Sequence, residues 1–186
     1  MKNKNLQKIT VSAVLIGLAT VLSLVKVVQM PLGGSVTVVS MLPICLISIM
    51  YGPVFAIMPC VLYGAVQMAI DGVFGWGLTP ETLIGSIVFD YLLAFGMLCL
   101  AGLFRKKGIK GIIGGVAVAL LGRFICSFIS GCIFFQCFDI FNNPYIWSLC
   151  YNGAYMLPEI ITTAICAALL FKSDTVKKLI VCGKIF

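Results

Sequence analysis

The chain has 186 residues, of which 61% are hydrophobic and only 10% are charged, and its formal net charge is +7. Its mean hydropathy of +1.15 excludes an ordinary soluble domain, because too few polar residues remain to cover so much apolar surface. Histidine, the commonest metal ligand and general base, is absent from the sequence. The nine cysteines include no CxxC pair, so we expect small packing residues rather than disulfides or a metal site. These features predict an integral membrane protein.

Six apolar segments follow one another along the chain and predict an all-α bundle of six transmembrane helices. They lie at about 9–29, 37–52, 53–72, 83–104, 111–136 and 146–171 of a single membrane domain over residues 1–186. The first segment follows a short basic stretch, as in a signal peptide. No small-x-small cleavage site follows it, so we expect it to be retained as a helix. Between the second and third segments, Tyr51-Gly52-Pro53 is a turn signal in which Pro53 begins the next helix.

Basic residues precede the first segment, fill the connection between the fourth and the fifth, and follow the sixth. They are Lys2, Lys4, Lys8, Arg105, Lys106, Lys107, Lys110, Lys172, Lys177, Lys178 and Lys184. The opposite connections, near 30–36, 73–82 and 137–145, contain no Lys or Arg. By the positive-inside rule, both termini are predicted to be cytoplasmic, in a multi-pass protein of the cell membrane. The net charge is therefore interpreted as an orientation signal, and we expect no nucleic-acid partner.

Two ionisable residues lie deep in neighbouring apolar segments. Counted from the outer ends of their segments, Arg123 and Glu159 lie at equal depth on antiparallel helices. Intramembrane charges usually pair with one another or mark a pathway. We predict a structural ion pair between these two residues, and the alternative is direct contact of either one with a ligand.

Aromatic and polar residues gather in the outer third of the predicted bundle, at spacings of four residues that place them on one face of each helix. The faces comprise Trp147, Tyr151, Tyr155 and Glu159 on the sixth helix, Arg123, Ser127, Gly131 and Phe135 on the fifth, and Tyr63, Gln67 and Asp71 on the third. Asn152 lies beside the first face, and Asp90 lies about 10 Å below the outer end of the fourth helix. Interhelical hydrogen bonds and an interfacial aromatic belt would explain some of these residues, Trp147 and Trp76 in particular. The whole set predicts a pocket for a small, flat solute, neutral or cationic.

Four stretches carry a family resemblance that runs in order across nearly the whole chain. They read MPLGGSVTVVSMLPICLISIMYGP (30–53), FDYLLAFGMLCLAGLFR (89–105), RFICSFISGCIFF (123–135) and NPYIWSLCYNGAYMLPE (143–159). The chain resembles the thiamine-specific substrate-binding subunits (S components) of energy-coupling factor (ECF) vitamin transporters. The GGSVT…SMLP and YN…YMLPE blocks are the specific parts of this resemblance.

The resemblance implies a six-helix protein that captures the vitamin from outside the cell. It also implies docking on one transmembrane coupling protein and two cytoplasmic ATPase subunits. These partners would hydrolyse ATP, so no cofactor is expected in this chain, which has no GxxxxGK[ST] phosphate loop. Family members dock through small residues on the first helix. Ala13 and Gly17 supply such a pair here, although ordinary packing would explain the same spacing.

The resemblance also implies roles for single residues. Asp90 and Tyr91 match the family's acidic pyrimidine-binding position and the tyrosine after it, and Asn152 matches its binding asparagine. Trp147 replaces a family tyrosine, Phe135 stands at an aromatic position, and Tyr63 matches an aromatic position on the third helix. Ser127 stands where family members usually carry histidine, and serine hydrogen-bonds over a shorter reach. With Tyr151 and Trp76, these residues form the predicted binding site.

Three alternatives stay open beside thiamine binding. The ligand could be a thiamine precursor or another small aromatic vitamin, since Ser127 departs from the family pattern. A self-sufficient secondary transporter is a different class, although the chain is short for an inverted-repeat design and shows no repeat. An intramembrane enzyme would require paired catalytic groups at one depth, and we expect none.

Overall fold

The computed structural model describes residues 4–30, 34–135, 142–173 and 176. Within these ranges, the helices are α1 (Lys4–Leu24), α2 (Leu42–Tyr51), α3 (Pro53–Asp71), an irregular α4 that begins at Pro80, α5 (Gly108–Phe134) and α6 (Pro144–Lys172). Short 3-10 helices cover Val73–Gly75 and Arg105–Lys107. Two antiparallel strands, β1 (Lys26–Gln29) and β2 (Ser35–Thr37), form a hairpin between α1 and α2.

The hairpin corrects the all-α prediction and two of the predicted spans. The first span was expected to stay helical to residue 29, but α1 ends at Leu24 and β1 follows. The second span was expected to be helical from residue 37, but α2 begins only at Leu42. The stretch Val36–Val39 is β-branched and apolar, and hydropathy alone does not distinguish such a strand from a helix.

The short α2 explains how a strand can occupy membrane depth. Its 10 residues give a length of about 15 Å, roughly half of the hydrocarbon thickness. The strand β2 and a turn at 38–41 precede α2, and the backbone amides of Gly34 and Thr37 donate to side chains of α6 instead of facing lipid. Non-helical backbone is tolerated within a membrane when it is buried in protein or lines a cavity.

α4 changes its helical type along its length. It consists of the α-helix Pro80–Ser86, the π-helix Ile87–Leu93, one α-helical turn at Ala94–Gly96 and the 3-10 helix Met97–Gly102. Thr79 caps its start, where the side-chain oxygen accepts a hydrogen bond from the amide of Thr82. π-helical turns inside helices frequently mark functional sites, and this one contains Asp90 and Tyr91.

α4 and α5 pack closely as antiparallel neighbours. The chain turns at Gly108, whose positive φ of 71° suits glycine. A Cβ atom at Gly115 would collide with the carbonyl oxygen of Ala101, so the two backbones touch at that point. This contact fixes the heights of the functional side chains on α4 relative to those on α5.

Four helical segments in the described ranges are long and apolar enough to cross a membrane, as expected for an integral membrane protein. They are Lys4–Leu24, Pro53–Gly75, Pro80–Phe134 and Pro144–Lys172, and the third folds back on itself as the α4–α5 pair. Basic groups collect at one end of the bundle: Lys8 Nζ lies 5.9 Å from the centre of the Tyr51 ring, and Arg105 donates to the carbonyl of Met50. The number of crossings and the cytoplasmic placement of the termini stay predictions.

Candidate binding site

A cavity opens at the end of the bundle opposite the basic residues. It encloses about 810 Å³ of space between the surrounding atoms, part of which is open solvent at the mouth. The β-hairpin, the end of α1 and helices α3, α4, α5 and α6 all contribute to its wall. The cavity therefore lies at the end of the bundle away from Lys8 and Arg105.

One wall of the cavity is aromatic and belongs to α6. The rings of Trp147 and Tyr151 stack with centroids 5.1 Å apart and an interplanar angle of 6°, and Tyr151 meets Tyr155 edge to face at 5.9 Å. The spacing of four residues produces this ladder, because such residues lie above one another on a helix. The hairpin closes on the ladder, where the amide of Gly34 donates to the hydroxyl of Tyr151 at 3.2 Å.

Asp90 projects from the π-helical turn of α4 toward α5. Its carboxylate accepts a hydrogen bond of 2.6 Å from the hydroxyl of Ser130, and the hydroxyl of Ser127 lies beside it. Among the residues that the structure describes, no Lys or Arg lies within ion-pair distance of this carboxylate. Asp90 is therefore a carboxylate at the cavity wall that hydroxyl groups solvate and that no cation of the described part of the chain pairs with.

Arg123 and Glu159 form an ion pair at the cavity floor. Arg123 Nη1 lies 3.4 Å from Glu159 Oε2, and the guanidinium lies 4.2 Å from the centre of the Phe95 ring. The other oxygen of Glu159 accepts hydrogen bonds from the backbone amide of Thr37, at 3.0 Å, and from the Thr37 hydroxyl. Glu159 thus holds both the α5–α6 pair and the re-entrant strand β2. Both charged residues also line the cavity.

A second ion pair lies nearer the mouth. Lys26 Nζ on β1 lies 3.1 Å from Asp71 Oδ1 at the end of α3. The hydroxyl of Tyr91 donates to Asp71 Oδ2 at 3.2 Å, and the indole of Trp76 donates to the Asp71 carbonyl oxygen at 3.1 Å. This pair joins the hairpin to α3 and α4.

The charges that line the cavity do not balance. Asp71, Asp90 and Glu159 contribute three negative charges, whereas Lys26 and Arg123 contribute two positive charges. Over the described residues, the ionised wall therefore carries one net negative charge, located at Asp90. Such a wall favours a solute with one positive charge, which would replace the missing counter-ion.

The amide of Asn152 is used within the protein. Its nitrogen donates to the carbonyl oxygens of Ser127 and Ser148, at 3.2 and 3.0 Å, and its oxygen accepts from the hydroxyl of Tyr155 at 2.9 Å. Asn152 lines the cavity, but these bonds make it a brace that ties α6 to α5 and fixes the Tyr155 ring.

The structure brings the predicted site residues together with one exception. Asp90, Tyr91, Asn152, Trp147, Tyr151, Ser127, Phe135 and Trp76 all line the cavity. Tyr63 does not line it: its side chain is fully buried behind the wall, where its hydroxyl faces α1. Ala13 and Gly17 lie far from the cavity on the exposed face of α1, and no other atom approaches a Cβ built at Gly17.

The sequence reasoning missed two features of the site. One is the hairpin, which brings Gly34 and Thr37 to the cavity. The other is the pairing of Lys26 with Asp71. The sequence contained a signal for this pairing. Lys26 and Asp71 have opposite charges and lie near the ends of two apolar segments, where charged residues tend to pair with each other. The GG pair before SVTVV was the corresponding signal for a turn and a strand.

Comparisons with known proteins agree with the architecture. The family profile described as "Thiamine transporter protein" matches residues 9–179. The chain is 33% identical over 185 residues to "Thiamine transporter ThiT" of Bacillus subtilis (strain 168), covering 91% of this chain and 93% of that relative. A solved structure of ThiT from Listeria monocytogenes superposes with a TM-score of 0.78 at 22% identity, covering 93% of this chain and 97% of that one.

Proposed function

The chain belongs to the thiamine transporter protein family and is a transporter rather than an enzyme, and from this premise we propose that its cavity binds thiamine. We further propose that it acts as the S component of an ECF-type uptake system in the cell membrane. In that role it would cross the membrane six times with both termini in the cytoplasm.

The observation that carries the ligand assignment is the single net negative charge of a cavity with a stacked aromatic wall. Thiamine has one permanent positive charge on its thiazolium ring and a flat aminopyrimidine ring. Stacked indole and phenol rings attract a cationic ring through their π faces, and Asp90 supplies an unpaired carboxylate. The neutral hydroxymethylpyrimidine precursor would leave the Asp90 charge uncompensated, which favours thiamine over its precursor.

The small residues around Asp90 give the amino group of an aminopyrimidine room to approach. Ser127 and Ser130 on α5 present hydroxyls to the carboxylate. Gly131, one turn beyond Ser127, also lines the cavity and adds no side chain to this part of the wall. A carboxylate is a hydrogen-bond acceptor only, so it fits an amino donor.

The S-component role is supported by where the charges and small residues lie. Lys8 and Arg105 lie at the end of the bundle opposite the cavity, which is consistent with a mouth that faces outward. Ala13 and Gly17 lie on an exposed face of α1, where another helix could approach closely. A coupling protein and two ATPase subunits are the proposed partners.

The first test is isothermal titration calorimetry of the purified full-length protein in detergent with thiamine, followed by the neutral hydroxymethylpyrimidine. Saturable binding of thiamine, much tighter than binding of the neutral compound, is the expected result. Binding of the precursor alone would overturn thiamine as the ligand.

The second test separates the transporter classes. Vesicles that contain this chain alone should take up no thiamine, whereas vesicles that also contain the coupling protein and ATPases should require ATP. Uptake by the chain alone, driven by an ion gradient, would show a secondary transporter instead.

A further inference from the structure

The hydroxyl of Tyr63 lies where the cavity wall meets helix α1. It donates to the carbonyl oxygen of Ala19 on α1 at 3.4 Å and accepts from the side-chain amide of Gln67 at 2.5 Å. The hydroxyls of Ser23 and Ser40 lie beside it. Gln67, Ser23 and Ser40 all line the cavity, whereas Tyr63 is fully buried behind them. The hydroxyl of Tyr63 thus lies beside three residues of the wall, Gln67, Ser23 and Ser40, and bonds to the backbone of α1.

A row of neighbouring hydroxyl groups leads from the Tyr63 hydroxyl toward the cavity floor. Glu159 accepts from the backbone and the hydroxyl of Thr37. The Thr37 hydroxyl lies 2.7 Å from that of Ser40, which in turn lies beside the Tyr63 hydroxyl. A change of partner at Thr37 alters the hydrogen bond of Ser40, and with it the polar surroundings of the Tyr63 hydroxyl.

A second connection runs through packed rings. Tyr63 and Phe95 meet edge to face, with centroids 5.3 Å apart and an interplanar angle of 82°. The Phe95 ring also contacts a charged group, because the Arg123 guanidinium lies 4.2 Å from the centre of this ring. The Arg123–Glu159 pair therefore adjoins Tyr63 through the packed Phe95 ring and through the row of hydroxyl groups.

Helix α1 is held to the bundle by few buried groups. Of its described residues, only Ser12, Ala19 and Ser23 are buried. Two of these three lie at the Tyr63 hydroxyl, so the outer half of α1 is fastened there. Below this point, Ala13 and Gly17 are exposed.

We propose that Tyr63 is a positioning residue that transmits occupancy of the cavity to the seating of α1. A solute that contacts Gln67, Thr37 or the Arg123–Glu159 pair changes the hydrogen bonds that orient the Tyr63 hydroxyl. The bond from Tyr63 to Ala19 then strengthens or weakens, and the outer half of α1 shifts between a seated and a released arrangement. A ligand moves this equilibrium by its different affinity for the two arrangements. The proposal rests on the proposed function only for the choice of thiamine as the probe.

The test is hydrogen–deuterium exchange, read by mass spectrometry, of the full-length protein in detergent with and without thiamine. The variant Tyr63→Phe removes one oxygen atom and keeps the ring that packs on Phe95. Tyr51→Phe is the matched control, because Tyr51 lies at the basic end of the bundle and does not line the cavity. Thiamine affinity is measured by calorimetry for each variant.

Without ligand, exchange of segment 18–25 in Tyr63→Phe should be about fivefold faster than in the parent, as expected for the loss of one neutral hydrogen bond. Exchange in α6 should stay unchanged. Thiamine affinity should stay within about threefold of the parent value, because the hydroxyl does not line the cavity. The ligand-dependent change in exchange at 18–25 should be present in the parent and in Tyr51→Phe and lost in Tyr63→Phe.

If the parent binds thiamine and exchange at 18–25 does not change, occupancy is not transmitted to α1 and the proposal fails. Two further results would also overturn it. One is parent-like exchange of 18–25 in ligand-free Tyr63→Phe. The other is a ligand-dependent change at 18–25 that survives the substitution in full. If the parent does not bind thiamine, the proposed function fails, while the ligand-free comparison still decides whether Tyr63 seats α1.

Discussion

Replacement of Asp90 by asparagine tests the charge of the cavity while it changes the shape of the wall very little. Asp90 accepts a hydrogen bond from Ser130 and has no cationic partner among the described residues. A cation about 5 Å from this carboxylate gains about 3 kcal/mol at an effective dielectric constant of about 20. Asparagine keeps an oxygen acceptor, so we expect a loss of about 1.5–3 kcal/mol, the range for hydrogen bonds to charged groups. The dissociation constant for thiamine should therefore rise about 10- to 100-fold.

Calorimetric titrations with thiamine and with the neutral hydroxymethylpyrimidine separate charge from hydrogen bonding. If charge complementarity decides the affinity, Asp90→Asn weakens thiamine binding more than binding of the neutral compound. The ligand-free variant should melt at the same temperature as the parent or higher, because an uncompensated carboxylate at a partly buried site is costly to keep.

Glu159→Gln is the comparison variant, since it also removes one negative charge from the wall. Glutamine keeps only one oxygen acceptor, so either the Arg123 guanidinium loses its 3.4 Å partner or Thr37 loses its acceptor, and the guanidinium charge is uncompensated in both cases. Breaking a buried ion pair in this way costs about 3–5 kcal/mol, so the melting temperature should fall clearly. Equal weakening of thiamine and the neutral compound by Asp90→Asn would refute the charge argument. Equal loss of affinity in both variants with unchanged melting temperatures would refute the division of roles between Asp90 and Glu159.

Three further predictions concern the aromatic wall, the exposed face of α1 and the α4–α5 contact. Trp147→Ala removes one ring of the stacked pair and should weaken thiamine binding by about 1–2 kcal/mol, measured by calorimetry. Gly17→Leu should leave thiamine affinity unchanged but reduce ATP-driven uptake in vesicles with the coupling protein, because α1 would lose its close approach. Gly115→Ala should lower stability by about 1–3 kcal/mol in thermal melts, because its Cβ meets the Ala101 backbone, whereas Gly114→Ala, with open space around it, should have little effect.

Much of the helical architecture could be predicted from the sequence. The apolar runs located the helices, and the shared depth of Arg123 and Glu159 placed these residues opposite each other before the structure showed the 3.4 Å contact. The aromatic ladder of α6 followed from the spacing of Trp147, Tyr151 and Tyr155. These successes have one cause, because a helix in lipid is regular and its length and faces follow from counting residues.

The irregular backbone could not be predicted in the same way. Thr37 meets Glu159 only because the chain re-enters the bundle as a strand, and no periodicity in GGSVTVV gives that depth. The π-helical turn at Ile87–Leu93 is equally invisible in the sequence, although it places the neighbours Asp90 and Tyr91 on the same cavity wall. In both places the irregular backbone is accompanied by contacts with another helix: Thr37 bonds to Glu159 on α6, and Asp90 bonds to Ser130 on α5.

Tyr63 shows why a shared helix face does not define a shared environment. Tyr63, Gln67 and Asp71 lie on one face of α3, as their spacing of four residues predicts. These three residues extend over about 12 Å of helix, and different parts of the protein pack against the face along this distance. Asp71 meets the hairpin at the mouth, Gln67 lies at the wall, and Tyr63 meets the backbone of α1. The amphipathic pattern gives the direction in which a side chain points, whereas the depth of the cavity decides whether it meets a ligand or another helix. A polar side chain just below a binding cavity is therefore well placed to connect that cavity to the helix behind it.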